Sequence, residues 1–336
     1  MSQKKNPFFI WIDDQPDREK IADALQDQIG LSKKFINVKG KDLRVELNSV
    51  IKQPKPDLVI IDHVLDKTSR DSLIKFGSTV AELMRDTWPT CPIVGISAAK
   101  KKLHISVRQE RIYDELYGGH EFSEHFEYLN ALVDGFDRIP QEVRKPVRPS
   151  SLNLLTPPEE DKEQLEMVLP QDINDRQDGK PDPALATRLY AWMRDVFFER
   201  PGFLLDSLWL ATEIGLNKEG FVKVEDVFTM ARYEGIFACE QRKRWWGSKA
   251  KEILYRKVKS DGTELPWDLG RRLPGISSGD YSRCYVSRQT TPQPETVAYV
   301  DATENAARHP MRLRFTVRHP NFPSLTFFED IRMMGD

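Results

Sequence analysis

Over the first part of the chain, short and uniformly apolar runs alternate with longer amphipathic stretches, and few folds accommodate that alternation. The runs are "FFIWI" (8–12), "FINV" (35–38), "DLVIID" (57–62), "CPIVGIS" (91–97) and "YDELYG" (113–118). Between and after them lie stretches with helical spacing. "REKIADALQDQIG" places Ile21, Leu25 and Ile29 on one face, and "SLIKFGSTVAELMRDTW" does so with Leu73, Phe76, Val80 and Leu83. "FSEHFEYLNALVDGF" closes the series with Phe122, Phe126, Leu129 and Val133. A strand apolar at successive positions is buried on both faces, which requires helices on both sides of a parallel sheet. The first half is therefore expected to be an α/β, doubly wound, five-stranded parallel sheet.

In such sheets functional groups collect beyond the carboxyl ends of the strands. The first run ends in Asp13 and Asp14, the third in Asp62 and the fourth in Ser97. A single aspartate at a strand end is commonly a turn residue or a helix N-cap, and Asp14 is placed to cap a helix starting near Pro16. Three carboxylates converging at one sheet edge repel one another and raise each other's pKa. A hard divalent cation such as Mg2+ removes that conflict, and it commonly bridges to a phosphoryl group. Two histidines in "HEFSEH" (120–125) are five apart, the wrong spacing for a zinc pair on one helix face.

With these residues in place, 8–138 resembles a response-regulator receiver domain. The resemblance rests on Asp13–Asp14 after the first strand, Asp62 after "DLVII" and Ser97 after "CPIVGI". It implies that Asp62 is a phospho-acceptor and that Mg2+ is held by Asp13, Asp14, Asp62 and the backbone carbonyl of Val64. It also implies that Ser97 is the switch hydroxyl and that a histidine kinase or another protein is the partner. One departure stands out. The family carries a lysine after the fifth strand, and here that strand leads into "GGHEF", with Gly118 or Gly119 in the lysine's place. Lys100, Lys101 and Lys102 follow Ser97 and are candidates to replace it.

Near 139 the texture changes. Residues 139–183 are rich in proline and charge, which reads as a linker with one short helix at 158–168. Residues 156–185 hold nine acids against three bases, a net of −6. From 184 to 336 the chain reads as a separate α+β domain, helices first and a small sheet after. Its helical segments are "ALATRLYAWMRDVFFE", "GFLLDSLWLATEIGL" and "KVEDVFTMARYEG". Residues 231–260 carry nine Lys or Arg against three Glu, a net of +6, with Trp245 and Trp246 inside the basic stretch. Strands are expected at "RCYVSR" (283–288), "TVAYVD" (296–301) and "MRLRFTVRHP" (311–320), the last alternating apolar residues with arginine.

Two functional readings follow. In one, a receiver switch controls an output domain that binds DNA in the manner of a winged helix, through Arg242, Lys243, Arg244, Lys249, Lys251 and Arg256. The acidic segment would then mask the basic one by charge complementarity. In the other, a receiver lacking its lysine is an adaptor subunit of a bacterial signalling or phage-defence assembly. A solvated basic helix face with Trp245 and Trp246 in the core is the plainer account of the basic stretch. No ATP-binding, nucleotide-cyclase or phosphodiesterase signature stands in the chain, so a non-catalytic output is the first expectation and an enzymatic output of an unfamiliar type the alternative. No run of 18 apolar residues is present, and "MSQKKNP" lacks the apolar core of a signal peptide. Three scattered cysteines, Cys91, Cys239 and Cys284, are read as reduced thiols of a cytoplasmic protein.

Overall fold

The structure is a computed structural model, and it describes residues 6–70, 74–97, 112–143, 151–170, 184–199, 202–283, 296–299 and 309–312. The chain forms two compact units. The first gathers Met1–Leu154, Pro170–Ala191 and Cys239–Gln241, and the second Leu155–Leu169, Trp192–Ala238 and Arg242–Asp336.

Five parallel strands build the first unit: β1 (Phe8–Asp13), β2 (Ser32–Asn37), β3 (Leu58–Asp62), β4 (Ile93–Ser97) and β5 (Glu115–Gly118). Their order is β2-β1-β3-β4-β5. This is one of the two common doubly wound orders, with its switch point between β1 and β3. β1, β3 and β4 are buried at almost every position because both faces of the sheet are covered. β2 begins at Ser32, three residues before the run expected from sequence, because at the sheet edge Lys33 and Lys34 need only one covered face.

Side chains alternate between the two faces. Ile10, Ile12, Val59, Ile61 and Ile93 pack with Leu43, Leu47 and Val50 of α2 (Leu43–Val50) and with Val80, Ala81 and Met84 of α3 (Gly77–Thr87). On the other face Trp11 meets Phe122 edge-on at 5.4 Å, and Phe122 meets Phe126 likewise. α1 (Glu19–Ile29) buries Ala22, Leu25 and Ile29, and α4 (Phe126–Val143) buries Leu129, Leu132, Phe136 and Ile139. α2 is absent from the sequence reading, although Asp42 caps it by accepting from Arg44 N–H.

Two helices depart from their expected bounds. α3 starts at Gly77, and Phe76 before it is extended and 51% exposed, not part of a buried stripe. The reason is local: Gly77 N–H donates to the His63 carbonyl, and a Cβ at Gly77 would lie 2.1 Å from the Asp62 carbonyl oxygen. Glycine lets the helix start against the end of β3. α4 runs to Val143 with Pro140 inside it, past the expected linker start. Leu73 lies outside the described residues.

The first unit also takes in chain from beyond the expected domain. In the helix Leu185–Trp192, Tyr190 is fully buried, its ring 5.6 Å from Phe136. Its hydroxyl donates to Glu115 and shares a 2.9 Å bond with Tyr128. Burying one such aromatic is worth roughly 1.5–3 kcal/mol. Gln241 docks on the start of α4, donating to the Glu124 carbonyl at 2.7 Å and accepting from Tyr128 N–H.

The second unit is a mixture of short helices and strands. Its core joins Leu210 and Ile214 with Phe221, Phe228, Trp245, Leu254 and Leu269. Trp245 and Trp246 form a short strand, β7, antiparallel to β6 (Leu204–Leu205), and both indoles are buried. The expected helix at 223–235 is a 3-10 segment, Glu225–Ala231, and the helix from 184 ends in a π turn, Met193–Phe197. Thr296–Tyr299 (β8) pairs antiparallel with His309–Arg312 (β9). Residues 284–288 and 313–320, which carry most of the other two expected strands, lie outside the described residues, as does Cys284.

Candidate metal centre

The register of the parallel sheet assembles the acidic cluster. Ile12 lies opposite Ile61 and Asp62 opposite Ile96, so Asp13, Asp62 and Ser97 end adjacent strands at one edge. Asp14 follows at the first position beyond β1. Asp13, Asp14 and Asp62 are all buried, and each offers a carboxylate oxygen within 4.8 Å of the others.

Each acid is held separately. Asp13 accepts from Gln15 N–H at 2.7 Å and from the Trp11 indole N–H at 3.1 Å. Asp14 Oδ2 accepts from the backbone N–H of Lys67 at 2.7 Å, while its Oδ1 is buried with no hydrogen-bond partner. Asp62 accepts a longer bond, 3.3 Å, from Val64 N–H. Val64 bridges to Phe76 through bonds from Leu65 N–H to Lys75 and from Gly77 N–H to His63. Neither of those bonds uses the Val64 carbonyl.

Burial pushes the carboxyl of Asp13 up to about 6, against the hydrogen bonds from Gln15 and Trp11 and the charge of Arg18. Asp62 is pushed up to about 7, by burial first and then by the charge of Asp13. Asp14 is raised as well, again mainly by burial, with the Lys67 N–H opposing. Three buried carboxyls that resist ionisation together, one with an orphaned oxygen, fit a hard divalent cation.

Sequence reasoning missed three neighbours. The Lys67 backbone reaches Asp14 from the loop after β3. Buried His63 sits beside Asp62, its Nδ1 3.2 Å from the Tyr113 hydroxyl, and burial lowers its pKa. Arg18, after β1, donates to the Gly119 carbonyl at 3.2 Å and lowers both Asp13 and Asp62. Lys100, Lys101 and Lys102 lie outside the described residues. Of the two spaced histidines, His125 stacks on Tyr117 at 4.3 Å and His120 pairs with Glu121.

The basic residues of the second unit have local partners. Lys243 pairs with Glu225 at 2.7 Å, Lys249 with Glu252 and Lys251 with Glu213 at 2.5 Å each, and Arg256 with Glu252 at 3.7 Å. Arg244 donates to the carbonyls of Phe198 and Lys243, and Arg242 ends a short 3-10 turn, Glu240–Arg242. From the acidic segment, Asp161 accepts from Ser248 in the first turn of the helix Gly247–Val258. Residues 171–183 of that segment lie outside the described residues.

No protein-family model matches the chain, and no curated protein matches it. Solved receiver domains do, each over nearly its whole length. A CheY-like response regulator receiver domain protein from Methanospirillum hungatei JF-1 is 11% identical over 40% of this chain and 99% of its own, with a TM-score of 0.31. The response regulator TrrA from Thermotoga maritima, solved with Mg2+ and BeF, is 21% identical over 39% and 98%, with a TM-score of 0.29. A signal receiver domain of an HD domain-containing protein from Pseudomonas fluorescens Pf-5 is 12% identical over 41% and 100%, with a TM-score of 0.31. The receiver-like fold of the first unit stands on its own strand order and register. No helix among the described residues is long and apolar enough to cross a membrane.

Proposed function

We propose that the chain is a response-regulator-like signalling protein in which Asp62 accepts a phosphoryl group from a protein partner such as a histidine kinase. The observation that carries this reading is the convergence of Asp13, Asp14 and Asp62 at the switch point of the sheet, where the neighbouring strand β4 ends at Ser97. A carboxylate oxygen of Asp62 attacks the phosphorus of a phosphohistidine. The P–N bond breaks, and the imidazole leaves with its electron pair. Asp13, Asp14, Asp62 and the Val64 carbonyl would hold Mg2+, which supplies charge neutralisation for the acids and the phosphoryl oxygens. Trp11 and Gln15 orient Asp13, and the Lys67 N–H orients Asp14. Ser97 ends the neighbouring strand, where its hydroxyl would follow the phosphoryl oxygens.

The test is a titration of beryllofluoride with Mg2+, followed by tryptophan emission, in the full chain and in Asp62→Asn. A saturable, Mg2+-dependent change that the substitution abolishes supports the reading. A flat response in both proteins ends it. That outcome would favour a receiver-like adaptor subunit, a reading supported by the glycines at 118 and 119, where β5 ends. The ion pairs around Lys243, Lys249, Lys251 and Arg256 leave DNA outside the function proposed here.

A further inference from the structure

The glycines where β5 ends, Gly118 and Gly119, raise a physical problem. A phosphoryl group on Asp62 adds negative charge to an edge that already holds three buried acids, and no lysine follows the fifth strand. At Gly118 a Cβ would lie 3.0 Å from Glu121 Oε2, the movable end of that side chain. At Gly119 the space is taken by another residue. A Cβ at Gly119 would lie 2.6 Å from Nη2 of Arg18 and 3.2 Å from Nη1.

Arg18 starts on the far side of the site. It ends the 3-10 turn Pro16–Arg18 that follows β1, and β3 and β4 separate β1 from β5. Its guanidinium nevertheless reaches the end of β5, where Nη1 donates to the Gly119 carbonyl at 3.2 Å. Gly119 N–H in turn donates to the carbonyl of Ser97 at 3.1 Å, which ties this contact to the end of β4. The side chain therefore links the turn after β1 to the residue after β5, at the sheet edge where Asp13, Asp62 and Ser97 end their strands. It is half-buried, and its charge favours the ionised forms of Asp13 and Asp62.

We propose that Arg18 is the phosphoryl-binding cation of this site, seated in the space left by the missing side chain of Gly119. The inference rests on the acyl-phosphate reading of Asp62. One hydrogen bond to the Gly119 carbonyl anchors the guanidinium and leaves other N–H donors of the fork for phosphoryl oxygens. Arginine serves here because its planar fork can hold a backbone carbonyl and an oxyanion together, whereas an ammonium is a point charge. The glycine and the arginine act as a pair: a side chain at 119 and a guanidinium in this pose exclude one another.

The experiment measures beryllofluoride affinity at saturating Mg2+, and Mg2+ affinity alone, in the full chain and in Arg18→Ala, Arg18→Lys and Gly119→Ala. Thermal melts establish that each variant is folded. Arg18→Ala is expected to weaken beryllofluoride binding by at least about tenfold. Mg2+ binding should stay equal or tighten, because a competing cation has gone. Gly119→Ala should weaken beryllofluoride binding without removing any charge, because its Cβ displaces the guanidinium. Arg18→Lys should recover part of the loss and serves as the test if the alanine variant does not fold. If Arg18→Ala, or Arg18→Lys in its stead together with Gly119→Ala, binds beryllofluoride as tightly as the unaltered chain does, the assignment is overturned while the acyl-phosphate reading survives. If the unaltered chain itself gives no Mg2+-dependent response, both fall together.

Discussion

The indole N–H of Trp11 donates to Asp13 Oδ2 at 3.1 Å, and the same ring lies edge-on to Phe122 at 5.4 Å. The first contact touches the acidic cluster and the second touches the aromatic core that joins the sheet to the 3-10 turn before α4. A cation on Asp13 would change the field at this indole directly. Mg2+ added to the metal-free protein should therefore alter tryptophan emission. In Trp11→Phe that change should vanish while calorimetry still records Mg2+ binding, because the Trp11 indole is bonded directly to Asp13. A Mg2+-dependent signal of undiminished size in Trp11→Phe would refute the assignment.

Removing one acid should stabilise the metal-free chain. Asp62 is buried, and both Asp13 and Asp14 raise its pKa further. Asn keeps the shape and removes the charge. Asp62→Asn should raise the free energy of unfolding at pH 7.5 by about 1–4 kcal/mol without metal. Mg2+ affinity should fall in the same variant. Urea unfolding with and without Mg2+ measures both, and a destabilised Asp62→Asn in the absence of metal would show that the acids do not repel.

The same burial fixes the sign of a pH effect. The folded-state pKa values of Asp13 and Asp62 are raised from 3.8 to about 6 and about 7. Between about pH 4 and those values the folded chain holds protons that the unfolded chain has released. The stabilisation is present in full below the unfolded pKa and is lost as pH rises through the folded one. Its slope is about 1.4 kcal/mol per pH unit for each group. Without metal, the loss of stability from pH 5 to pH 7.5 should be larger in the unaltered chain than in Asp62→Asn. Equal losses in the two proteins would contradict the raised pKa of Asp62.

Much of this site is legible because its acids end apolar runs. Asp13, Asp62 and Ser97 each follow four or more buried residues, and a parallel register carries such ends to one edge. The fifth strand is as short as "ELYG", yet the run "YDELYG" and the glycines where it ends were readable, while its place at the sheet edge was not. Arg18 was not. Its partner Gly119 lies 101 residues away, and no local pattern announces an arginine that fills the space beside a glycine. α2 had its cap and its spacing, Asp42 with Leu43, Leu47 and Val50, but at eight residues it offers only two turns of signal.

The second unit was harder for related reasons. Val224, Phe228 and Ala231 have α-like spacing, but the segment Glu225–Ala231 is only seven residues long and closes as a 3-10 helix with Val224 before it. Trp245 and Trp246 are adjacent in a two-residue strand, so they point to opposite faces, and both faces are covered. Phe221 meets the first at 5.3 Å, and Phe197 meets the second at 5.9 Å. A charge count over a window of sequence also misses carboxylates supplied from outside it, as Glu213 and Glu225 are.

Tyr190 offers a test of where the first unit ends. Its hydroxyl donates to Glu115 on β5 and bonds Tyr128 on α4, and all three side chains are buried. Tyr190→Phe keeps the ring against Phe136 and leaves the Glu115 carboxyl and the Tyr128 hydroxyl short of a partner. The cost should be about 1–3 kcal/mol. It should appear in the unfolding transition reported by Mg2+-dependent tryptophan emission, since that signal belongs to the same unit. A transition unmoved by Tyr190→Phe would place the helix Leu185–Trp192 outside the cooperative core of the sheet.

The ion pairs of the second unit make a prediction about nucleic acid. Binding to duplex DNA that releases counterions weakens with salt on a log–log slope of about −0.9 per phosphate contacted. Lys243, Lys249, Lys251 and Arg256 each lie within 4 Å of a glutamate carboxylate, and Arg244 is bonded to two carbonyls. To reach a phosphate, each paired cation must give up its carboxylate or bring that negative charge along. The salt slope of duplex binding should therefore stay shallower than about −2 between 50 and 200 mM salt. Replacing Glu213, Glu225 and Glu252 together with Gln should steepen it, because the cations are then unneutralised. A slope of several units in the unaltered chain would restore a nucleic-acid role to this surface and would show that the ion pairs open readily.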